Sequence, residues 1–243
     1  CSTVGVQLMP TFGSQMFGSG AGKTAIDYSF TDSEGISGNL TIFTFSDMDL
    51  GAADDSRVIV VSGGCAFSNV TGTVSSATIG GISATIIVQK TDSFPPNDKQ
   101  CSFIVAALVP SGTSGDVVIT LSRSLNSSNR GMGIGVHRLT GPGEVAADDT
   151  ASAQANTCSS ATMVVSCNTK EDGAAVGSTA GNGGVYGTET WTGLTERARG
   201  YQGAAVWSSA GIATTSDESP RTMSVATGSY CTQTAVGASW HPA

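Results

Sequence analysis

Lysine is nearly missing from this sequence: it occurs four times in 243 residues, and charged residues of all kinds make up only 12%. Disorder needs low hydrophobicity together with high charge, so this composition excludes a disordered chain. Acidic residues outnumber basic ones 19 to 11, for a net charge of −8 and a pI near 4.5. Phosphate contacts need clustered Lys and Arg, which excludes nucleic acid as the main partner. The charge instead favours solubility. Histidine is scarce too, at two residues, and none of the six cysteines stands in a Cys-x-x-Cys pair, so no zinc pattern exists. No apolar run reaches about 18 residues, and no membrane-spanning helix is expected. The first residues lack a basic start with an apolar core, so no secretory signal is expected there. Leucine occurs only eight times, and helical periodicity is absent.

What remains is strand and turn material. Gly numbers 32, and Ser, Thr, Ala and Val are abundant. β-Branched residues fit a pleated surface, and Gly fits its corners. The organising stretch runs from Thr44 to Leu121. Within it, Arg57-Val-Ile-Val-Val61 reads as a strand buried on both faces. Ala77-Thr-Ile79 and Ile82-Ser-Ala-Thr-Ile86 flank Gly80-Gly81, the signature of a two-residue hairpin turn. Ile82, Ala84, Ile86 and Val88 are expected on one face of the second strand. Short strand candidates recur from Ala25–Phe30 to Ala235–Trp240, separated by Gly-, Ser- and Pro-rich turns. The expected fold is all-β: an antiparallel β-sandwich of jelly-roll type, a single domain over residues 25–243 after an irregular N-terminal arm over residues 1–24. The poorer second half should complete the sheets, with Trp191, Trp207, Met223 and Trp240 filling the core.

Few residues suggest chemistry. Asp47, Asp49, Asp54 and Asp55 put four carboxylates close together, and hard cations favour such oxygen clusters, so these are calcium candidates. Their spacing does not match an EF-hand loop, and the competing reading is a solvated turn with Asp54 or Asp55 pairing Arg57. No tightly held metal and no cofactor is expected. A Ser-His-Asp arrangement would have to use His137 or His241. His137 lies in Met132-Gly-Ile-Gly-Val-His-Arg-Leu139, on the face of Gly133, Gly135 and Leu139, and reads as a structural histidine. Tyr186, Tyr201 and Tyr230 lie in Gly- and Ser-rich stretches and are candidates for stacking on a glycan, such as one of a host surface. Cys101 reads as a small buried hydrophobe, and Cys158 with Cys167 as a pair that could bridge a hairpin.

Gly18-Ser-Gly-Ala-Gly-Lys-Thr24 looks like a phosphate-binding loop, but Phe17 stands where the pattern needs Gly. The arm around it is unusually apolar. Leu8, Met9, Phe12, Met16 and Phe17 are candidates for an attachment arm, either folded back as an edge strand or packed on a neighbour.

Several segments carry a resemblance. Phe43-Thr-Phe45, Asp49-Leu-Gly-Ala-Ala53, Arg57-Val-Ile-Val-Val61, Thr78-Ile-Gly-Gly-Ile-Ser-Ala-Thr85 and Val109-Pro-Ser-Gly-Thr-Ser-Gly-Asp116 resemble a β-sandwich domain of virion structural proteins in tailed bacteriophages and gene transfer agents. The ending Ala238-Ser-Trp-His-Pro-Ala243 is a weaker match. The likeness spans Leu40 to Leu139 and brings no catalytic residue. It implies a non-enzymatic component on the outer surface of the virion: a head decoration (cement) protein or a fibre-like spike. The implied partners are capsid or tail proteins of the same particle and further copies of the chain. The alternative is a jelly-roll carbohydrate-binding module or carbohydrate-active enzyme.

Overall fold

The computed structural model describes residues 24–92, 98–142, 144–156, 159–182, 189–230 and 232–243. The attachment-arm residues, Tyr186, Cys158 and the side chain of Tyr230 lie outside that set. No helix occurs among the described residues. The first eight strands are β1 (Asp27–Ser37), β2 (Ile42–Asp49), β3 (Arg57–Ser68), β4 (Val74–Ile79), β5 (Ile82–Thr91), β6 (Asp98–Leu108), β7 (Ser114–Leu121) and β8 (Gly131–Thr140). They pair first with last: β1 with β8, β2 with β7, β3 with β6, β4 with β5, all antiparallel. The sheet order is β1-β8-β3-β6-β5-β4-β7-β2. Folded over between β6 and β5, this is a jelly roll. Its two edges meet, because Thr31 Oγ1 donates to Asp49 O at 2.7 Å and Asp49 N donates to Asp32 Oδ2 at 2.9 Å.

The second half does not complete those sheets, as the sequence suggested. It builds a roll of its own. Its strands are β9 (Asp149–Ala155), β10 (Ser159–Val164), β11 (Cys167–Thr169), β12 (Ala174–Asn182), β13 (Thr190–Thr192), β14 (Thr195–Gln202), β15 (Ala205–Ala213), β16 (Glu218–Arg221), β17 (Ser224–Tyr230) and β18 (Thr232–Trp240). Again the outermost strands pair: β9 with β18, β10 with β17, β11 with β16, β12 with β15. If β10 and β11 are read as one broken strand, and β16 and β17 as its broken partner, the scheme of the first roll recurs. β13 and β14 then take the places of β4 and β5, with β14 beside β15 and β13 beside β17.

The rolls stack into four layers. The β1-β8-β3-β6 side of the first faces the β14-β15-β12-β18-β9 sheet of the second. β3 crosses β12, β8 lies against β15, and β6 against β18. Corresponding strands therefore exchange places across an approximate two-fold axis. One apolar core fills the first roll, around Phe43, Phe45, Phe67 and Phe103. A second lies between the rolls, around Val58, Val60, Ile104, Val236 and Trp240. A third fills the second roll, around Trp191, Met223 and Val225. Each such fully buried side chain contributes about 1.5–3 kcal/mol. Trp191, Trp207, Met223 and Trp240 are all buried, as the sequence implied.

This stacking explains why β3, β12 and β18 are buried on both faces. A continuous apolar run is the signature of such a strand, and β3 shows it. Glycine lets the layers touch. A Cβ on Gly133 would stand 1.9 Å from the Trp207 ring, and one on Gly64 would stand 2.5 Å from Thr179 O.

The β4–β5 turn is the one expected. Gly80 and Gly81 have φ of +58° and +79°, the pair a type I′ hairpin turn requires. A Cβ on Gly81 would meet nothing within 4 Å, so a side chain there is penalised by backbone conformation alone. Replacing both by Val is expected to cost more than about 1 kcal/mol per site. Thermal melts of the double variant check this, and an unchanged midpoint would refute it. One face assignment changes: a bulge between Ile86 and Val88 turns Ile87 and Val88 toward the core between the rolls, while Ala84 and Ile86 stay with the first core.

Candidate functional site

The acidic turn is built for shape. Asp54 Oδ1 accepts from both N and Oγ of Ser56, at 2.8 and 2.6 Å, and these bonds hold its carboxyl below the usual carboxylate range. Asp49 Oδ1 accepts from Gly51 N at 2.7 Å. Asp47 sits at φ +55°, its N–H donating to Asp116 Oδ1 at 3.1 Å. Asp55 is exposed. Among the described residues, no group of three or more His, Cys, Asp and Glu side chains converges on a common point. The expected pairing of Arg57 with Asp54 or Asp55 is replaced by something else. Arg57 is fully buried, and its guanidinium donates only to backbone carbonyls: Val109 and Leu50, at 2.7 and 3.2 Å, then Gly51, Ser111 and Gly112, at 2.7, 2.9 and 2.7 Å. It clasps the β2–β3 and β6–β7 turns together. A planar fork of five N–H groups suits that task.

His137 stands between the rolls, fully buried. Its Nδ1 meets Tyr28 Oη at 3.0 Å. Its Nε2 meets Ser209 Oγ at 2.8 Å and Ser62 Oγ at 3.1 Å, and the two serine oxygens are 2.6 Å apart. Burial, reinforced by the positive charge of Arg197, pushes the imidazole down to about 3. Burial pushes the Tyr28 hydroxyl up to about 12, although the Arg197 guanidinium stacks 5.5 Å from the ring centre. The ring is therefore neutral and the phenol protonated. In the neutral ring one of these nitrogens donates and the other accepts. The group contains a serine and a histidine at catalytic distances, yet Ser62, His137 and Ser209 have no exposed surface. It satisfies polar groups across the layer boundary, as the structural reading of His137 holds. His241, the other histidine, sets its Nδ1 against Asp148 Oδ1 at a partly exposed site.

Two of the tyrosine candidates lie on strands that reach one end of the second roll, Tyr201 in β14 and Tyr230 at the close of β17. Gln202, Ala205, Asn182 and Thr232 stand side by side across β14, β15, β12 and β18. Tyr201 precedes Gln202, the segment bearing Tyr186 follows Asn182, and Tyr230 closes β17 two residues before Thr232. Tyr201 is exposed, at 38%.

Beneath this end lies a group that the sequence reading missed. Glu189 is only 3% exposed. Its Oε1 accepts from Thr179 Oγ1 at 3.0 Å, while Oε2 has no partner among the described residues. Ser208 Oγ, 2.8 Å from Thr179 Oγ1, accepts from Trp191 Nε1 at 3.0 Å. Arg199 Nη2 donates to Glu189 O at 2.7 Å and also to Glu196. Burial pushes the Glu189 carboxyl up. A raised carboxyl adds stability below its unfolded value and loses it as pH rises through the folded one. Glu189→Gln is thus expected to raise the melting temperature at neutral pH, with the gain shrinking in acid. Melts at several pH values check this. Alternation held the signal: Trp191 faces inward, so Glu189 two residues before it does too.

The fold and these groups define a protein of two jelly rolls packed back to back. Comparison with known proteins adds no relative: no family model, no curated protein and no solved structure matches the chain.

Proposed function

We propose that this chain is a non-enzymatic structural protein on the outside of a tailed-phage particle, a head decoration protein or a fibre-like spike. The observation that carries the reading is a pair of open sheet faces on opposite outer sides of the molecule. On the first roll, Thr44, Val118, Thr78 and Ser83 form one cross-strand row, and Ile42, Thr120 and Ser76 the next. On the second, Thr162, Ala226 and Thr190 form one row, and Val164, Ser224 and Thr192 the next. None of these residues is charged, in a chain of net charge −8. Ile42 and Val164 are each 56% exposed. Depletion of charge marks the centres of protein interfaces. Two such faces suit a component held between neighbours in a lattice or a stalk. The resemblance over Leu40 to Leu139 supplies the kind of particle.

The test has two parts. Immunogold electron microscopy of the source particles should place the chain on their outer surface, and its absence from them would sink the reading. Val118→Lys and Val164→Lys should lower occupancy on particles without moving the melting temperature; normal occupancy of both would show that the faces are not contacts. A carbohydrate-binding module is the second reading, favoured by Tyr201, an exposed aromatic ring at one end of the second roll. Glycan binding that Tyr201→Ala abolishes would support it.

A further inference from the structure

The first roll contains two buried cysteines, and Cys101, read from the sequence as a small hydrophobe, has Cys65 directly opposite it. Cys65 in β3 and Cys101 in β6 are partners in the antiparallel register. Both have no exposed surface, both belong to the core of the first roll, and both are free thiols. Side chains of directly opposed residues project to the same face. Opposed antiparallel residues have Cα atoms about 4.5 or 5.5 Å apart, and a disulfide accepts about 4.4–6.8 Å. Their Cβ atoms stand about 4.5–5.5 Å apart in such pairs against about 3.5–4.5 Å in a disulfide, so closure needs a shift of about 1 Å. Two glycines, Gly63 and Gly64, precede Cys65 and leave the strand short of side chains there.

We propose that Cys65 and Cys101 form an oxidisable dithiol that closes into a cross-strand disulfide, fastening β3 to β6 inside the first roll. The two thiols differ in kind. Burial pushes the Cys65 thiol up, while a hydrogen bond from Cys65 draws Cys101 down. With Cys101 as the first nucleophile, a small oxidant such as hydrogen peroxide reaches it in transient openings of the roll. Its thiolate attacks one peroxide oxygen and breaks the O–O bond. The sulfur becomes a sulfenic acid, and the departing hydroxide takes up the thiol's proton as water. The Cys65 sulfur then attacks the sulfenic sulfur, forming the S–S bond and expelling a second water. Two thiols and one peroxide give one disulfide and two waters.

The experiment treats the reduced, folded full chain with hydrogen peroxide and then removes the oxidant. Remaining thiols are alkylated in denaturant, and unreduced proteolytic peptides are analysed by mass spectrometry. The expected product joins the Cys65 peptide to the Cys101 peptide and disappears on reduction. It should persist in Cys158→Ala and be lost in Cys65→Ala. Far-ultraviolet circular dichroism of the oxidised protein should keep its strand signature. Recovery of Cys65 and Cys101 as alkylated thiols while other cysteines react would overturn the proposal. So would a cross-link that forms only when denaturant is present during oxidation, or one joining either residue to a different cysteine.

Discussion

Arg57→Met is expected to abolish folding at 37 °C or to lower stability by at least about 3–5 kcal/mol, a large share of the roughly 5–15 kcal/mol that holds a typical domain. The side chain has no exposed surface and donates to five backbone carbonyls in the β2–β3 and β6–β7 turns. Methionine fills much of the volume and donates nothing. Each carbonyl left buried and unpaired costs about 1–3 kcal/mol, less where water can enter. Arg57→Lys should recover only part of the loss, because an ammonium has three donors and no planar fork. Urea unfolding of both variants checks the order wild type, Lys, Met. A methionine variant within about 1 kcal/mol of wild type would show that water replaces the clasp.

The second large effect is a loss of stability in acid. His137 stays neutral in the folded protein down to about 3, against 6.5 when unfolded. Below pH 6.5 the unfolded chain binds a proton that the folded chain does not accept. The histidine's contribution is therefore intact above pH 6.5 and falls by about 1.4 kcal/mol for each pH unit below it. By pH 4.5 this amounts to almost 3 kcal/mol. Protonation would put a cation against Arg197 and remove the ring's one acceptor nitrogen. In His137→Gln the slope of stability against pH between 6.5 and 4.5 should flatten by about that amount, whatever the variant's stability at pH 7. Parallel slopes for the two proteins would mean that the imidazole charges freely in the folded state.

The strands were largely legible in the sequence, because alternation and turn residues are local. Each strand candidate has a counterpart, and the Gly80-Gly81 turn is placed to the residue. β9, β11, β14 and β16 were not foreseen. Asp149-Thr-Ala-Ser-Ala-Gln-Ala155 alternates small and polar residues without a large apolar one, and Thr195-Glu-Arg-Ala-Arg-Gly-Tyr-Gln202 is a charged edge strand. Glu218-Ser-Pro-Arg221 carries a proline, which demotes any strand reading. The second roll was hidden for a different reason. The two halves share a pairing scheme and not a run of residues, and pairing is a long-range property. The same holds for the groups that give the molecule its chemistry. His137 was readable as structural, but nothing local to it announces Ser62, Ser209 or Tyr28. Arg57 looked ready for the aspartates beside it, yet backbone carbonyls take its hydrogen bonds, three of them on residues more than fifty positions away.

The core between the rolls has a consequence for how the chain exists at all. Val58, Val60 and Ile104 on one side meet Val236, Ala238 and Trp240 on the other, so each roll keeps one whole sheet face dry only while its companion is present. In effect the molecule is a two-fold dimer whose subunits can never dilute away from each other. The tether is the short stretch between Thr140 and Asp149, and over such a length the companion's effective concentration stays in the millimolar range or above. Separated at that stretch, the halves would have to find each other by ordinary bimolecular association, with a hydrophobic face on offer to any neighbour in the meantime.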